Sequence, residues 1–184
     1  DSLILLKNDG VLPIKKGTKI AVIGPHADSL RYPVSGYTYP AYIEMMDAGR
    51  KNNASVTFNG IADEQAKAEK EKAPKGPFDT LFDMLDEEDV KQLDDMNGVL
   101  RTLHTRSLKE VLSDRFETVY AQGCDIIGTS EDGFSDAVKA ANESDVVVMA
   151  LGGNCGWVNV TGGEGKDRQS LELPGVQEKL LETV

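Results

Sequence analysis

The sequence has few cysteines and no long hydrophobic run, and each shortage excludes a class of protein. Two cysteines among 184 residues, Cys124 and Cys155, are too few for a disulfide framework and lack the spacing of a metal site. Both follow predicted strands and could lie near each other, but we expect two unpaired thiols. No stretch approaches the roughly 20 apolar residues that a membrane span requires. The sequence therefore predicts neither a disulfide-rich domain nor a membrane-spanning one.

Basic residues are also scarce relative to acidic ones. The chain has 31 Asp and Glu against 20 Lys and Arg, a formal net charge of -11. Nucleic acids and anionic membranes both attract clustered Lys and Arg, so we expect neither as a partner. An acidic surface commonly serves solubility, so the charge does not by itself identify a partner.

The chain lacks the signals that mark a complete protein. Its first ten residues carry charges where a signal peptide would be apolar, and it does not begin with Met. Its last residues have the pattern of a helix interior. We expect a single α/β domain over residues 1–184, truncated at both ends, because this length suits one domain with its own core. Nothing in the sequence indicates a cellular location.

Apolar runs alternate with one-sided helical patterns along most of the chain. Three runs predict buried strands: Lys19–Gly24, Phe116–Tyr120 and Asp145–Leu151. Helical patterns begin at Ser107, with a capping-box spelling to Glu110, cover 134–142, and cover 174–184 from Pro174 onward. This alternation is typical of a three-layer α/β/α sandwich on a mainly parallel sheet. Ligands bind such sheets at the carboxyl ends of the strands.

The region of about 43–105 interrupts the alternation. It contains a polar stretch at 63–75, which is expected to be a solvated helix or a mobile loop and not a binding tract, and an amphipathic segment at 78–85. We expect a mostly helical insertion on the sheet, with the polar stretch facing solvent.

The glycine-rich loop of residues 151–168 follows the third predicted strand and has the length of a functional loop. It does not fit a Walker A pattern, because Val160 and Asp167 stand where glycine and Ser or Thr are needed. Residues 152–156, GGNCG, do not spell G-x-G-x-x-G either, and they follow a late strand instead of the first. No G-x-S-x-G occurs, and His26 and His104 do not form a metal set. We therefore expect no metal and no cofactor. Glu164 remains as a candidate; a carboxylate of this kind is either solvated or functional.

Four motifs resemble the second, C-terminal domain of family 3 glycoside hydrolases. Residues 2–14, SLILLKNDGVLPI, resemble the segment that enters that domain, and residues 19–28, KIAVIGPHAD, resemble its first strand and turn. Residues 119–125, VYAQGCD, are similar to its second strand, and residues 163–177, GEGKDRQSLELPGVQ, to its acid/base loop and following helix. His26 replaces the usual Asn, and Gly162 stands where Ser is frequent. The insertion carries no diagnostic motif.

The resemblance implies a retaining, exo-acting β-glycosidase that hydrolyses non-reducing terminal β-linked sugars. Glu164 matches the general acid/base, and the nucleophile is an aspartate on an N-terminal barrel domain of the same polypeptide. Trp157 either stacks on the sugar or packs the loop onto its own domain. Asp167 and Arg168 are expected to shape the loop by pairing with each other or with its backbone.

The resemblance leaves the sugar undecided. We expect β-glucosidase activity with β-xylosidase as the alternative, and a non-catalytic sugar-binding or structural module of the same ancestry as a further one. The isolated chain is expected to be inactive, because the nucleophile lies elsewhere.

Overall fold

The structure, a computed structural model, describes residues 3–52, 91, 95–158, 160–163 and 167–184. Its elements in chain order are β1 (Lys19–Ile23), α1 (Tyr39–Asn52), α2 (Met96–Thr102), α3 (Leu108–Ser113), β2 (Glu117–Ala121), α4 (Phe134–Asn142), β3 (Val146–Met149) and α5 (Gln177–Thr183). None of the described helices is long and apolar enough to cross a membrane.

The described strands form one parallel sheet in the order β2-β1-β3. Central strand β1 pairs with both neighbours, so that Ala21 lies opposite Val119 on one side and Val147 on the other. Two parallel pairings need two crossovers, and the chain supplies them through helices α3 and α4. The predicted parallel sheet is therefore confirmed.

Side chains of β1 alternate between two apolar cores, as the twofold period of a strand requires. On one face, Ala21 and Ile23 pack with residues of α4 and α5, among them Phe134, Ala137 and Leu180. On the other face, Ile20 and Val22 pack with Ala27, Ala150, Leu112 of α3, and Ile14, Phe116 and Val148. Helices thus cover both faces, which confirms the predicted three layers.

Helix α3 begins as its capping-box spelling predicts. The Ser107 hydroxyl accepts a hydrogen bond from the Glu110 backbone N–H at 3.2 Å, and the Glu110 carboxylate accepts one from the Ser107 N–H at 2.9 Å. The same carboxylate receives two hydrogen bonds from Arg101 of α2, at 2.6 and 2.8 Å. These contacts lower the pKa of Glu110 to about 2, the Arg101 hydrogen bond being the largest cause and the Ser107 N–H the next.

The last helix begins later than the sequence indicates. Helix α5 starts at Gln177 rather than at Pro174. The reason lies at Gly175, whose φ of +60° is left-handed and cannot belong to a right-handed helix. A Cβ there would also lie 2.7 Å from the Gly128 carbonyl oxygen. Of the two leucines in this helix, Leu180 is fully buried whereas Leu181 is 49% exposed.

The predicted insertion is described only at its two ends. Helix α1 occupies its start and α2 its end, and the two pack through Ile43 and Met46 against Met96 and Val99. This small apolar cluster is separate from the two cores of the sheet. The polar stretch 63–75 and the amphipathic segment 78–85 lie outside the described residues.

A buried amide ties α5 to the carboxyl edge of the sheet. Gln177 is 0% exposed, and its Oε1 accepts a hydrogen bond from the Gly152 N–H at 2.8 Å. Its Nε2 donates to the carbonyl oxygens of Gly152 at 2.9 Å and Ile126 at 3.0 Å. One side chain thereby satisfies backbone groups of two loops that the sheet itself cannot pair.

The low pKa of Glu110 predicts a pH-dependent contribution to stability. A carboxyl group whose pKa is depressed by folding stabilises the fold above its ordinary pKa of 4.5, and this contribution falls away as the pH drops toward about 2. Urea unfolding at about pH 6 and about pH 3.5 should show Glu110→Gln costing less stability at the lower pH. In an Arg101→Met background this pH dependence should shrink. A cost that does not change with pH would contradict the assignment.

The Gln177 amide predicts a second stability effect. Gln177→Met preserves the volume but leaves a Gly152 N–H and two carbonyl oxygens without their partner, at about 1–3 kcal/mol for each group that water does not reach. Gln122→Met is the matched control, because Gln122 is exposed and bonds only the Asp125 side chain, at 2.8 Å. That change should stay within about 0.5 kcal/mol. Equal losses in urea unfolding would refute the role given to Gln177.

Candidate functional site

The carboxyl ends of β1 and β3 meet at a very close backbone contact. Gly24 has a φ of +119°, and a Cβ at this position would lie 2.4 Å from the Ala150 carbonyl oxygen. The same oxygen accepts a hydrogen bond from the His26 N–H at 3.1 Å. Only glycine allows this approach. It brings the turn after β1 against the start of the glycine-rich loop.

Polar contacts between Asn154 and Thr161 close the first half of that loop. The Asn154 N–H donates to the Thr161 hydroxyl at 2.8 Å, and the hydroxyl donates to the Asn154 carbonyl at 2.9 Å. The Thr161 N–H in turn donates to Asn154 Oδ1 at 3.0 Å. A β-bridge between Cys155 and Gly162 continues the pairing. These bonds hold 154–156 alongside 161–163, directly before Glu164 in the sequence.

A buried arginine joins this loop to the rest of the domain. Arg31 is 8% exposed and pairs with Glu44 of α1, its Nη2 lying 2.9 Å from Glu44 Oε2. Its guanidinium also donates to the carbonyl oxygens of Val34 at 2.7 Å and Cys155 at 3.4 Å. Burial raises the pKa of Glu44, and the charge and hydrogen bonds of Arg31 oppose that shift.

The tryptophan proposed as a stacking face is half-buried within its own domain. Trp157 meets Tyr37 edge to face, with ring centroids 5.4 Å apart and planes at 82°. Its indole N–H is enclosed and has no hydrogen-bond partner among the described residues. Tyr37 itself is 76% exposed, so one aromatic ring of the pair faces solvent. A stacking role for Trp157 stays a prediction.

Of the other predicted site residues, the structure describes Asp167 and Arg168 but not Glu164. Glu164 lies outside the described residues, which resume at Asp167. Asp167 and Arg168 are both exposed, and the Arg168 guanidinium donates a hydrogen bond to the Glu172 carbonyl oxygen. Within the described part of the loop, no ion pair joins Asp167 to Arg168. Arg168 thus bonds to backbone further along the loop.

In the described part of the chain, the histidines and cysteines do not come together in a metal or catalytic site. His26 lies in the turn after β1, against the ring of Tyr32, and burial lowers its pKa although the nearby backbone of Gly152 and Gly153 opposes this. Cys124 is buried, Cys155 is exposed, and both are free thiols. No group of three potential metal ligands occurs among the residues that are described.

An open cavity of about 410 Å³ lies between the segment 32–35 and the loop. Its lining combines apolar residues with polar ones; the apolar ones include Pro33 and Val34, and the polar ones are Tyr32, Ser35, Asn154, Thr161 and Arg168. The Thr161 hydroxyl and Asn154 Oδ1 on its wall are already engaged in the hydrogen bonds that close the loop. The cavity adjoins Gly162, two residues before Glu164 in the sequence.

Sequence reasoning missed the residues that hold the loop. Arg31 follows the first strand in an otherwise ordinary turn, and no spacing relates it to Glu44 or Cys155. Gln177 stands within a quoted motif, but the motif does not reveal a buried amide.

Comparison with known proteins supports the resemblance. The family model described as "Glycosyl hydrolase family 3 C-terminal domain" matches residues 3–184. A protein named beta-xylosidase from Formosa agariphila is 42% identical over 77 residues, which cover 42% of this chain and 10% of that protein. A probable exo-1,4-beta-xylosidase, bxlB, from Aspergillus flavus is 25% identical over 182 residues, covering 99% of this chain and 15% of the relative.

A solved structure has the same fold. It is the GH3 exo-beta-xylosidase XlnD in complex with a xylobiose aziridine activity based probe, with a TM-score of 0.54 and 21% identity. The match covers 97% of this chain and 15% of that chain. The chain thus spans only 10% to 15% of the length of these relatives. Because the family model covers nearly its whole length, the chain belongs to glycosyl hydrolase family 3 and corresponds to its C-terminal domain.

Proposed function

We propose that this domain supplies the general acid/base, Glu164, to a retaining exo-acting β-glycosidase. The observation that carries the proposal is the family match over residues 3–184, in which the motif at 163–177 includes Glu164. The nucleophile is an aspartate on a barrel domain earlier in the same polypeptide. The isolated domain accordingly holds one of the two carboxyl groups and does not turn over substrate.

The chemistry requires a carboxyl group that is protonated before the first step. In a retaining glycosidase the two carboxyl groups lie about 5–5.5 Å apart, one attacking the anomeric carbon while the other protonates the leaving oxygen. The second group, now ionised, then removes a proton from water that hydrolyses the glycosyl-enzyme. A carboxyl group enclosed between two domains has its pKa raised by desolvation, which suits it to the first step.

The described residues that precede Glu164 in the sequence support this role. The bonds of Asn154 to Thr161 and the glycines at 162 and 163 form a closed backbone arrangement at the carboxyl edge of the sheet, where α/β folds present their working groups. Trp157 and Tyr37 add aromatic surface near the same loop. Sugar rings present C–H faces that pack on such surfaces.

An exposed apolar segment supports the proposed barrel partner. Leu3, Ile4, Leu5 and Leu6 are 100%, 81%, 64% and 94% exposed. A contiguous apolar run of this kind is normally covered in the complete protein. It directly precedes the sheet, at the place where the family resemblance puts the entry from the barrel.

We propose a β-xyloside as the substrate, with a β-glucoside as the competing assignment. The named relatives are xylosidases, and this is the specific reason to place xylose ahead of the glucose that the sequence alone favoured. The two sugars differ by the hydroxymethyl group on C5. A pocket closed around a pentose therefore rejects glucose by steric clash.

The specificity is tested in the full-length enzyme that contains this domain. Its kcat/KM on 4-nitrophenyl β-xyloside should exceed that on 4-nitrophenyl β-glucoside by about 10-fold or more, the usual discrimination from one small group in a pocket. A preference for the glucoside would assign the enzyme as a β-glucosidase instead. Absence of activity on any β-glycoside would favour a non-catalytic module.

The role of Glu164 predicts a dependence on the leaving group. In the full-length enzyme, Glu164→Ala should lower kcat/KM on xylobiose about 10²–10⁴-fold, because its leaving oxygen needs a proton. On a 2,4-dinitrophenyl xyloside, kcat/KM should fall much less, because the 2,4-dinitrophenolate leaves without a proton. Azide should then accelerate turnover of the activated substrate and give a glycosyl azide of retained configuration. The fall of kcat/KM at alkaline pH should also disappear on the activated substrate.

Asp167→Ala is the matched control, because it removes a carboxyl group from the same loop. This variant should leave the ratio of kcat/KM on xylobiose to kcat/KM on the 2,4-dinitrophenyl xyloside unchanged. If Glu164→Ala lowers both substrates alike and azide has no effect, Glu164 is not the acid/base. A reversed pattern, with azide rescue in Asp167→Ala, would assign the role to Asp167.

A further inference from the structure

The ion pair between buried Arg31 and half-buried Glu44 converges on the loop that precedes Glu164. Arg31 makes hydrogen bonds to three separate segments: Glu44 through Nε at 3.1 Å and Nη2 at 2.9 Å, Val34 through Nη1 at 2.7 Å, and Cys155 through Nη2 at 3.4 Å. A planar guanidinium presents its donors at fixed angles, so these acceptors cannot move independently.

The enclosure of the pair makes these contacts hard to exchange. The side chain of Arg31 is 10% exposed and that of Glu44 is 26% exposed. A charge with so little access to water must keep its partners, since separating a buried pair leaves an uncompensated charge. A loop attached to such a pair is therefore held in one position more firmly than a loop attached by a surface ion pair.

A short series of contacts leads from the guanidinium to the residue before Glu164. A Cβ on Gly156 would lie 2.6 Å from Arg31 Nη2, so the arginine lies directly against this glycine. A Cβ on Gly163 would in turn lie 2.4 Å from the Gly156 carbonyl oxygen. At both glycines the backbone lies directly against a neighbouring group, Arg31 for Gly156 and the Gly156 carbonyl for Gly163, and leaves no space for a side chain. Close contacts therefore connect Arg31 through Gly156 to Gly163.

We propose that Arg31, held by Glu44, is a positioning residue for the acid/base, setting the backbone at 155–156 and through it that of Gly163. The inference rests on the proposed role of Glu164. Proton transfer to a leaving oxygen requires the carboxyl group within about 2.6–3.2 Å of it. A misplacement of about 1 Å can cost on the order of 100-fold in rate. A displacement of Arg31 should therefore slow the protonation of the leaving oxygen more than any other step.

The test uses the double variant Arg31→Met/Glu44→Gln in the full-length enzyme. Removing both charges avoids the buried unpaired carboxylate that Arg31→Met alone would leave. The matched control is Arg106→Met/Asp114→Asn, because Arg106 also bonds a carboxylate twice, at 2.7 and 2.9 Å. That pair is exposed, with side chains 47% and 56% accessible, and its hydrogen bonds join Arg106 to Asp114 and to the Glu110 carbonyl oxygen, away from the described part of the loop.

The expected result is a selective loss on the substrate that needs a proton. The double variant should lower kcat/KM on xylobiose about 10- to 100-fold, while the activated 2,4-dinitrophenyl xyloside falls only a few-fold. The control variant should change neither. Arg31→Lys should recover the stability but keep a selective loss on xylobiose, because the three donors of an ammonium group sit on one nitrogen and cannot reach acceptors that are spread over Nε, Nη1 and Nη2 of the guanidinium.

Several outcomes would overturn the proposal. Equal losses on both substrates in a folded double variant would show a merely structural role, and unchanged kinetics would show none. Full recovery of the substrate ratio in Arg31→Lys would show that charge alone suffices. Glu164→Ala, measured in parallel, separates the two proposals. If it shows leaving-group dependence and the Arg31 variants do not, only the positioning role fails; if it shows none, the proposed function itself fails.

Discussion

The close approach of Gly24 to the Ala150 carbonyl oxygen is the contact on which the candidate site depends. A side chain at residue 24 would need space already occupied by that oxygen, 2.4 Å away, and its φ of +119° is one that other residues rarely adopt. Because β1 and β3 end together there, the turn with Arg31 beyond it reaches the loop that follows β3. The Arg31 guanidinium there donates to the carbonyl oxygen of Cys155, 124 residues distant in sequence.

The elements of the fold were predictable where local and global preferences agree. Strand β1 is a continuous apolar run because both of its faces are buried, and α3 begins at Ser107 because its first amides find partners within four residues. Helix α5 shows where local signals mislead. Pro174 favours a helix start there, but Gly175 must meet Gly128 with a positive φ, and that requirement is visible only in three dimensions.

The candidate site was predictable as a motif but not as a structure. The spelling around Glu164 identifies the family, whereas the residues that hold the loop act across long separations. Gln177 reaches Ile126 over 51 residues, and Arg31 reaches Glu44 and Cys155 by contacts that no periodicity encodes. Buried polar side chains of this kind satisfy backbone groups wherever the fold brings them. Their sequence positions therefore follow from the tertiary arrangement and carry no local pattern.

The proposed division of catalytic groups between two domains gives a reason for a loop held by polar contacts. An apolar contact tolerates small sliding, because dispersion and burial depend weakly on direction. Hydrogen bonds from a guanidinium or an amide fix distance and angle together. A retaining site needs its two carboxyl groups about 5–5.5 Å apart, and in the proposed enzyme each belongs to its own folded unit. Arg31, Gln177 and the Asn154–Thr161 bonds give this domain that directional constraint, at the edge where its proposed partner would meet it.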